Sequence, residues 1–293
     1  MLYDIRLVID YAYAAPSDGI RTILRIIPQG CADVQQVQGA HLEMDPPPDE
    51  RHDFRDFFGN ATTAVGWHRP ITSVAYRLQA RIDRLPAPPV LDLSPPLDAL
   101  ADAIAARTGL GPEEPHHFLA ASARVAPLVE TTTFARGCLG HGMTVLQAVQ
   151  AVGSALHRKM AFDAEATTVE TTPAEAFAQA SGVCQDFAHV MIAALRGIGV
   201  PAGYVSGFLR TFPPPGQPRL EGADAMHAWV RAWCGPEMGW VEFDPTNDQL
   251  AGVDYVTVAV GRDYGDVLPV HGVLRSAGGQ TSSQSVDMVP VGG

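Results

Sequence analysis

Residues 85–98 read LPAPPVLDLSPPLD, and no other feature restricts the fold of this chain more than these five prolines. Proline fixes its own φ and biases the residue before it toward extended backbone, so neither a helix nor a central strand runs through such a stretch. The chain folds as two parts joined here, and the hydrophobic pattern changes across the join. Before it, YDIRLVIDYAY, IRTILRII and ITSVAYRLQARI alternate or carry β-branched runs between clusters of Pro, Gly and Asp, which predicts separate strands in a sandwich or half-barrel. After it, residues 97–110, 115–129 and 143–160 show apolar spacings of three and four, which predicts three helices. Strands followed by helices and then further strands give an α+β chain. The expected division is a β-rich, sandwich-like domain over 1–90, a core with a preceding helical segment over 91–275, and a Gly- and Ser-rich mobile tail over 276–293.

With 293 residues, 46% hydrophobic and 18% charged, the chain buries ordinary globular cores and is not disordered. No apolar run approaches the roughly 20 residues that span a bilayer, and the start, MLYDIRLVIDYAY, lacks the basic segment and solid apolar stretch of a secretory signal. The expectations are no membrane partner and a cytoplasmic location. A net charge of −12 disfavours attraction to nucleic acid, which is not expected as a partner either. Cys31, Cys138, Cys184 and Cys234 have no CxxC pairing and read as reduced thiols, so the surroundings of each decide its role.

Cys184 has the most distinctive surroundings. In TTPAEAF, Thr172 caps, Pro173 takes the first helical position and Glu175 closes a capping box, so a short helix runs to about residue 180. Ser181-Gly182 breaks it and offers a second cap, placing Cys184 in the first turn of a helix that ends near Gly197. Free amides and the positive end of the helix dipole favour a thiolate there. Val183, Phe187, Val190, Met191, Ala194, Leu195 and Ile198 form the apolar face, with Cys184 at its edge. His189 lies about 140° around that helix and Gln185 about 100°, so any base for the thiol comes from elsewhere. By itself, Cys184 is equally readable as a small buried residue at a helix end.

Further along, PAGYVSGFL reads as a strand and RTFPPPGQPRLEG as a long surface loop. MHAWVRAW then alternates, with His227, Trp229, Arg231 and Trp233 on one face, and in WVEFDPTN Trp240, Glu242 and Asp244 share a face. A hairpin turning near Gly235-Pro236 brings Asp244 opposite His227, close enough for carboxylate to hold imidazole. Asp244 then fixes the tautomer, His227 takes the thiol proton and later returns it to the leaving amine, and Cys184 attacks. Three ligands of these types could instead hold zinc with one position open. The complete nucleophilic role makes no metal and no cofactor the expectation. His116, His117, His141 and His157 read as surface or capping residues, the aromatics of RDFFGN as packing beside a Gly59-Asn60 turn, and Arg262 as a local partner of Asp263 or Asp266. Trp229 and Tyr204 either wall the cleft or belong to the core.

GVCQDFAHVMIAALRGIGVPAGYVSGF, HAWVRAW, GWVEFDPTN and VAVGRDYGDVLPVHGV together resemble the bacterial transglutaminase-like proteins, a branch of the papain-like cysteine enzymes. The likeness covers roughly residues 160–275, and the β-rich start with DFFGN resembles the N-terminal region that often precedes this core. It implies a transglutaminase-like core of helices packed on an antiparallel sheet, and a Cys, His, Asp triad carried onto Cys184, His227 and Asp244. It also implies a peptide or protein substrate whose amide or isopeptide bond is cleaved or transferred. Hydrolysis is favoured, amine-accepting transglutaminase chemistry is the alternative, and a binding or scaffold protein without turnover is the reading from another class. Arg231 stands where relatives often carry an acidic or neutral residue, a departure that bears on substrate preference. Neither the second oxyanion donor nor the oligomeric state is legible.

Overall fold

A computed structural model of the chain describes every residue except 87–90, 213–221, 223 and 293. The first part of the chain is a single antiparallel system of strands, β1 (Leu2–Leu24), β2 (Gln35–Asp45), β3 (Glu50–Arg55), β4 (Ala61–Trp67) and β5 (Ile71–Arg84), in the order β2-β5-β1-β4-β3. YDIRLVIDYAY and IRTILRII, expected as two strands, are one. Pro16 falls within a register shift between Ala12 and Ser17, and Gly19, at φ +59, within a second shift between Asp18 and Arg21. Along its first half Tyr3, Ile5, Leu7 and Ile9 are buried while Asp4, Arg6 and Asp10 are exposed, the alternation the sequence carries. The Gly59-Asn60 turn joins β3 to β4, with Gly59 at φ +81.

Helices follow: α1 (Leu100–Ala105), α2 (Val129–Gly137) and α3 (Val145–Lys159), the last opened by a reciprocal Thr144–Gln147 capping box. The helix expected over 115–129 is a single 3-10 turn at Pro115–Phe118 followed by irregular chain. Non-local partners take the backbone groups that a helix needs: Ala120 O accepts from Arg196 Nη1, and Arg124 N donates to Asp263 Oδ2 at 2.6 Å. The helical segment begins instead after Pro127, where the Thr131 and Thr132 hydroxyls donate to Leu128 O.

Next come β6 (Ala161–Phe162), α4 (Pro173–Gln179), β7 (Ser181–Gly182), α5 (Cys184–Gly197), β8 (Ala202–Leu209), β9 (Ala225–Trp233), β10 (Trp240–Asp244), β11 (Gln249–Leu250) and β12 (Tyr255–Gly261). Five of these strands form an antiparallel sheet in the order β11-β10-β9-β8-β12, and β6 pairs with β7. The buried helix α5 packs on β8 and β9 and is flanked by α2, α3 and α4. Where α3 meets β10, Gly153 faces Phe243: a Cβ there would stand 2.2 Å from the ring. The result is the expected α+β class with helices on an antiparallel sheet.

The chain ends differently from expectation. After α6 (Tyr264–Val267), β13 (Val270–Arg275) and β14 (Gln280–Pro290) return to the first sheet and pair antiparallel with β1. The segment taken for a mobile tail is therefore mostly strand, because Val286 and Met288 bury completely against β1, with 1% and 0% exposure. The boundary expected near residue 90 falls outside the described residues. Across the junction, two side-chain amides act as extra strand partners for β12. Gln35 bonds Thr257 O and N at 2.7 and 2.9 Å, and Asn60 bonds Val260 O and N at 2.8 and 2.8 Å. Arg84 Nε adds a 2.6 Å bond to Tyr255 O. An edge strand that would otherwise present open backbone groups is covered.

Candidate active site

The start of α5 is set by local chemistry. Thr172 and Glu175 form the expected capping box on α4, and Ala180 ends that helix in the left-handed region at φ 54. Ser181 does not cap α5. Val183 is the N-cap, and the cap acceptor comes from inside the helix: Asp186 Oδ2 takes Val183 N at 2.8 Å and Thr167 Oγ1 at 2.6 Å. Gly182 makes room for that carboxylate, since a Cβ at 182 would lie 2.6 Å from Asp186 Oδ2. Cys184 is thus the first residue of α5, half-buried, with its amide among the free N–H groups of the helix start. Gln185 is held elsewhere, with Nε2 on Val169 O at 3.3 Å.

The structure brings Cys184, His227 and Asp244 together. His227 Nε2 hydrogen-bonds Asp244 Oδ2 at 2.7 Å, and the Cys184 side chain lies near enough to the ring to act on its charge. The strand register differs from the expected one. Val230 pairs with Phe243, so the next step of the ladder sets Asp244 across from Trp229, and carboxylate and imidazole meet on the diagonal. Asp244 is fully buried and accepts five hydrogen bonds. Oδ1 takes Thr246 N and Asn247 N, while Oδ2 takes His227 Nε2, Asn247 Nδ2 and Tyr255 Oη. Gln249 Nε2 donates to Tyr255 Oη at 2.7 Å and completes the network.

The charges follow from these contacts. Burial opposes a positive His227, but its hydrogen bonds and charge interactions with Asp244 and Cys184 outweigh burial and raise its pKa to about 10. Burial likewise opposes a negative Asp244, and the bonds from His227, Asn247 and Tyr255 lower its pKa below the ordinary value. The arrangement can hold an imidazolium between a sulfur and a carboxylate. His189 is excluded from that role: it is buried, accepts from Tyr264 N at 3.1 Å, and burial lowers its pKa to about 4. Among the described residues no group of three or more His, Cys, Asp and Glu side chains is placed to hold a metal ion.

Other candidates resolve as packing. Trp229 and Tyr204 are core residues, at 0% and 2% exposure, and Trp229 stacks on His227 at 6.2 Å while its Nε1 donates to Glu242. Arg231 is buried between Phe118 and Trp240 and paired with Glu113 at 3.0 Å. Arg262 pairs with Asp266, not Asp263. The residues not anticipated are Asn247, Gln249 and Tyr255. Asn247 had a signal, standing three residues after Asp244 in a turn sequence. Tyr255 had none, since β12 meets β10 only through the folded sheet.

Comparisons with known proteins agree with this architecture. Residues 132–245 match the transglutaminase-like superfamily, and residues 3–83 match the bacterial transglutaminase-like N-terminal region. Uncharacterised proteins of Mycobacterium tuberculosis and Mycobacterium bovis are 33% identical over 264 residues, covering 88% of this chain and 83% of their own. A Pseudomonas aeruginosa protein named protein-glutamine gamma-glutamyltransferase is 40% identical over 67 residues, which is 22% of this chain and 10% of that one. The crystal structure of a candidate cysteine protease from Cytophaga hutchinsonii superposes with a TM-score of 0.72 at 22% identity, over 99% of this chain and 91% of that chain.

Proposed function

The chain belongs to the transglutaminase-like superfamily, and we propose that it is a thiol enzyme in which Cys184, His227 and Asp244 open an amide or isopeptide bond of a peptide or protein. One observation carries this: a single imidazole, bonded to a buried carboxylate with five donors, whose charge is also raised by the helix-start sulfur.

The sulfur adds to the substrate carbonyl with its proton already held on His227, whose imidazolium is stabilised by Asp244. The amide of Cys184 meets the developing oxyanion at the start of α5. The C–N bond then breaks, His227 gives its proton to the departing amine, and a thioester remains on Cys184. Water, deprotonated by His227, adds to the thioester and releases the acid and the free thiol. We favour this hydrolytic ending because it requires no second binding site. An amine in place of water gives transfer, a reading favoured by the likeness to the Pseudomonas aeruginosa transferase.

Iodoacetamide at mildly acidic pH, read by mass spectrometry, tests the proposal. Cys184 is expected to react ahead of Cys31, Cys138 and Cys234, since burial raises the pKa of Cys31 to about 11 and that of Cys234 to about 12. His227→Ala is expected to remove the preference, and a peptide library is expected to leave acyl adducts on Cys184 alone. Equal labelling of the thiols, with no adduct, would leave a scaffold without turnover.

A further inference from the structure

Two motifs that the active site leaves unused converge in the fold. RDFFGN at the β3–β4 turn and GRDYGD after β12 close on one surface cavity of about 440 Å³, lined by Arg25, Asp56, Phe57, His117, Arg262 and Asp266 among others. The cavity shares no residue with the Cys184 site.

Its two arginines are each fixed from one side. Arg25 Nε donates to Asp56 Oδ2 at 2.8 Å, and Arg262 donates through Nε and Nη2 to Asp266 at 2.8 and 3.0 Å. A guanidinium carries five N–H donors. Arg25 therefore keeps both Nη groups, and Arg262 keeps Nη1, without an acceptor among the described residues. The carboxylates are already committed. Asp56 also takes Phe58 N, Asn60 N and Asn60 Nδ2, and Asp266 also takes Arg262 N. The Arg25–Asp56 pair is largely sheltered, at 16% and 13% exposure, so the free donor edge of Arg25 is held in place without the entropy cost of fixing a long side chain. Beside these donors Phe57 is 56% exposed, with its ring edge-on to His117 at 5.3 Å.

We infer that this cavity is a second binding site, which takes an oxyanion, carboxylate or phosphate, carried on a flat apolar group. The anion accepts from the free edges of Arg25 and Arg262, and the ring it is attached to lies against Phe57 and His117. Local charge is balanced, with two arginines against two aspartates, so selection rests on directed hydrogen bonds together with the aromatic wall. A small inorganic anion gains only the first of these.

Calorimetric titration of the full chain with phenyl phosphate and with phenylacetate tests the inference. At least one probe is expected to bind saturably at one site in the millimolar range or tighter. Phosphate as the preferred partner and carboxylate as the preferred partner each support the site and name its ligand class. Arg25→Gln and Arg262→Gln are each expected to weaken binding by about tenfold or more. Phe57→Ala, a change at an exposed side chain that leaves the fold intact, is expected to abolish the advantage of phenyl phosphate over inorganic phosphate. Cys184→Ala is expected to bind as the parent does, which separates this site from the thiol chemistry. Absence of saturation with both probes, or affinities unchanged in both arginine variants, would overturn it.

Discussion

At His227, burial and its two partners act on the same proton in opposite directions. Its pKa is raised from 6.5 to about 10. A raised value means the charged form stabilises the fold fully below 6.5, and that contribution is lost as the pH climbs through about 10. Denaturant unfolding of the parent and of His227→Gln is therefore expected to differ by a constant margin below 6.5, shrinking toward alkaline pH. A margin that grows with pH would contradict the ion-pair description. Asp244 works in the other direction, its contribution fading as acid protonates it. Asp244→Asn turns one acceptor edge into a donor among five donors, and is expected to cost about 2–4 kcal/mol and to slow Cys184 alkylation.

The helix α5 is placed by its first turn and by what precedes it. The Asp186 carboxylate that caps Val183 occupies the space a side chain at 182 would need. Gly182→Ala is expected to destabilise by about 1–3 kcal/mol and to blunt Cys184 alkylation, since the helix start shifts with its cap. Thr172→Ala, which removes the capping box of α4, is expected to cost about 1 kcal/mol and to leave the alkylation rate unchanged. Thermal unfolding alongside labelling rates separates the two. The α4 cap was legible because every participant lies within four residues in sequence. The α5 cap was misassigned to Ser181 because a hydroxyl before a helix is the commoner signal, whereas here Asp186 reaches back from the third helical position.

Between the two sheets, the N-terminal strands do more than precede the core. Gln35, Asn60 and Arg84 fasten β12, and β12 carries the Tyr255 hydroxyl that holds Asp244. The last strand fastens the first sheet in turn. Removing residues 280–293 takes Val286 and Met288 out of the core and opens one side of β1 along its first half. The truncated chain is expected to lose about 3–6 kcal/mol by apolar burial alone and to associate through the open edge. Denaturation midpoints and light scattering read both effects, and unchanged values for the truncated chain would mean that β14 contributes nothing.

By itself the sequence determined the α+β class, the strand alternation of β1 and β5, the start of the helix at Cys184 to within a residue, and the choice of His227 and Asp244 as a bonded pair. Each of these rests on periodicity, turn chemistry or motif spacing within a short window. Tertiary structure alone decided that Asp244 meets His227 diagonally, that Tyr255 and Gln249 join them, that residues 119–128 give up their helix to Arg196 and Asp263, and that the Gly- and Ser-rich end is a strand. In those places the free energy comes from partners far away in the chain. A buried donor or an open strand edge is satisfied by whichever group the fold delivers, and no local pattern records which group that is.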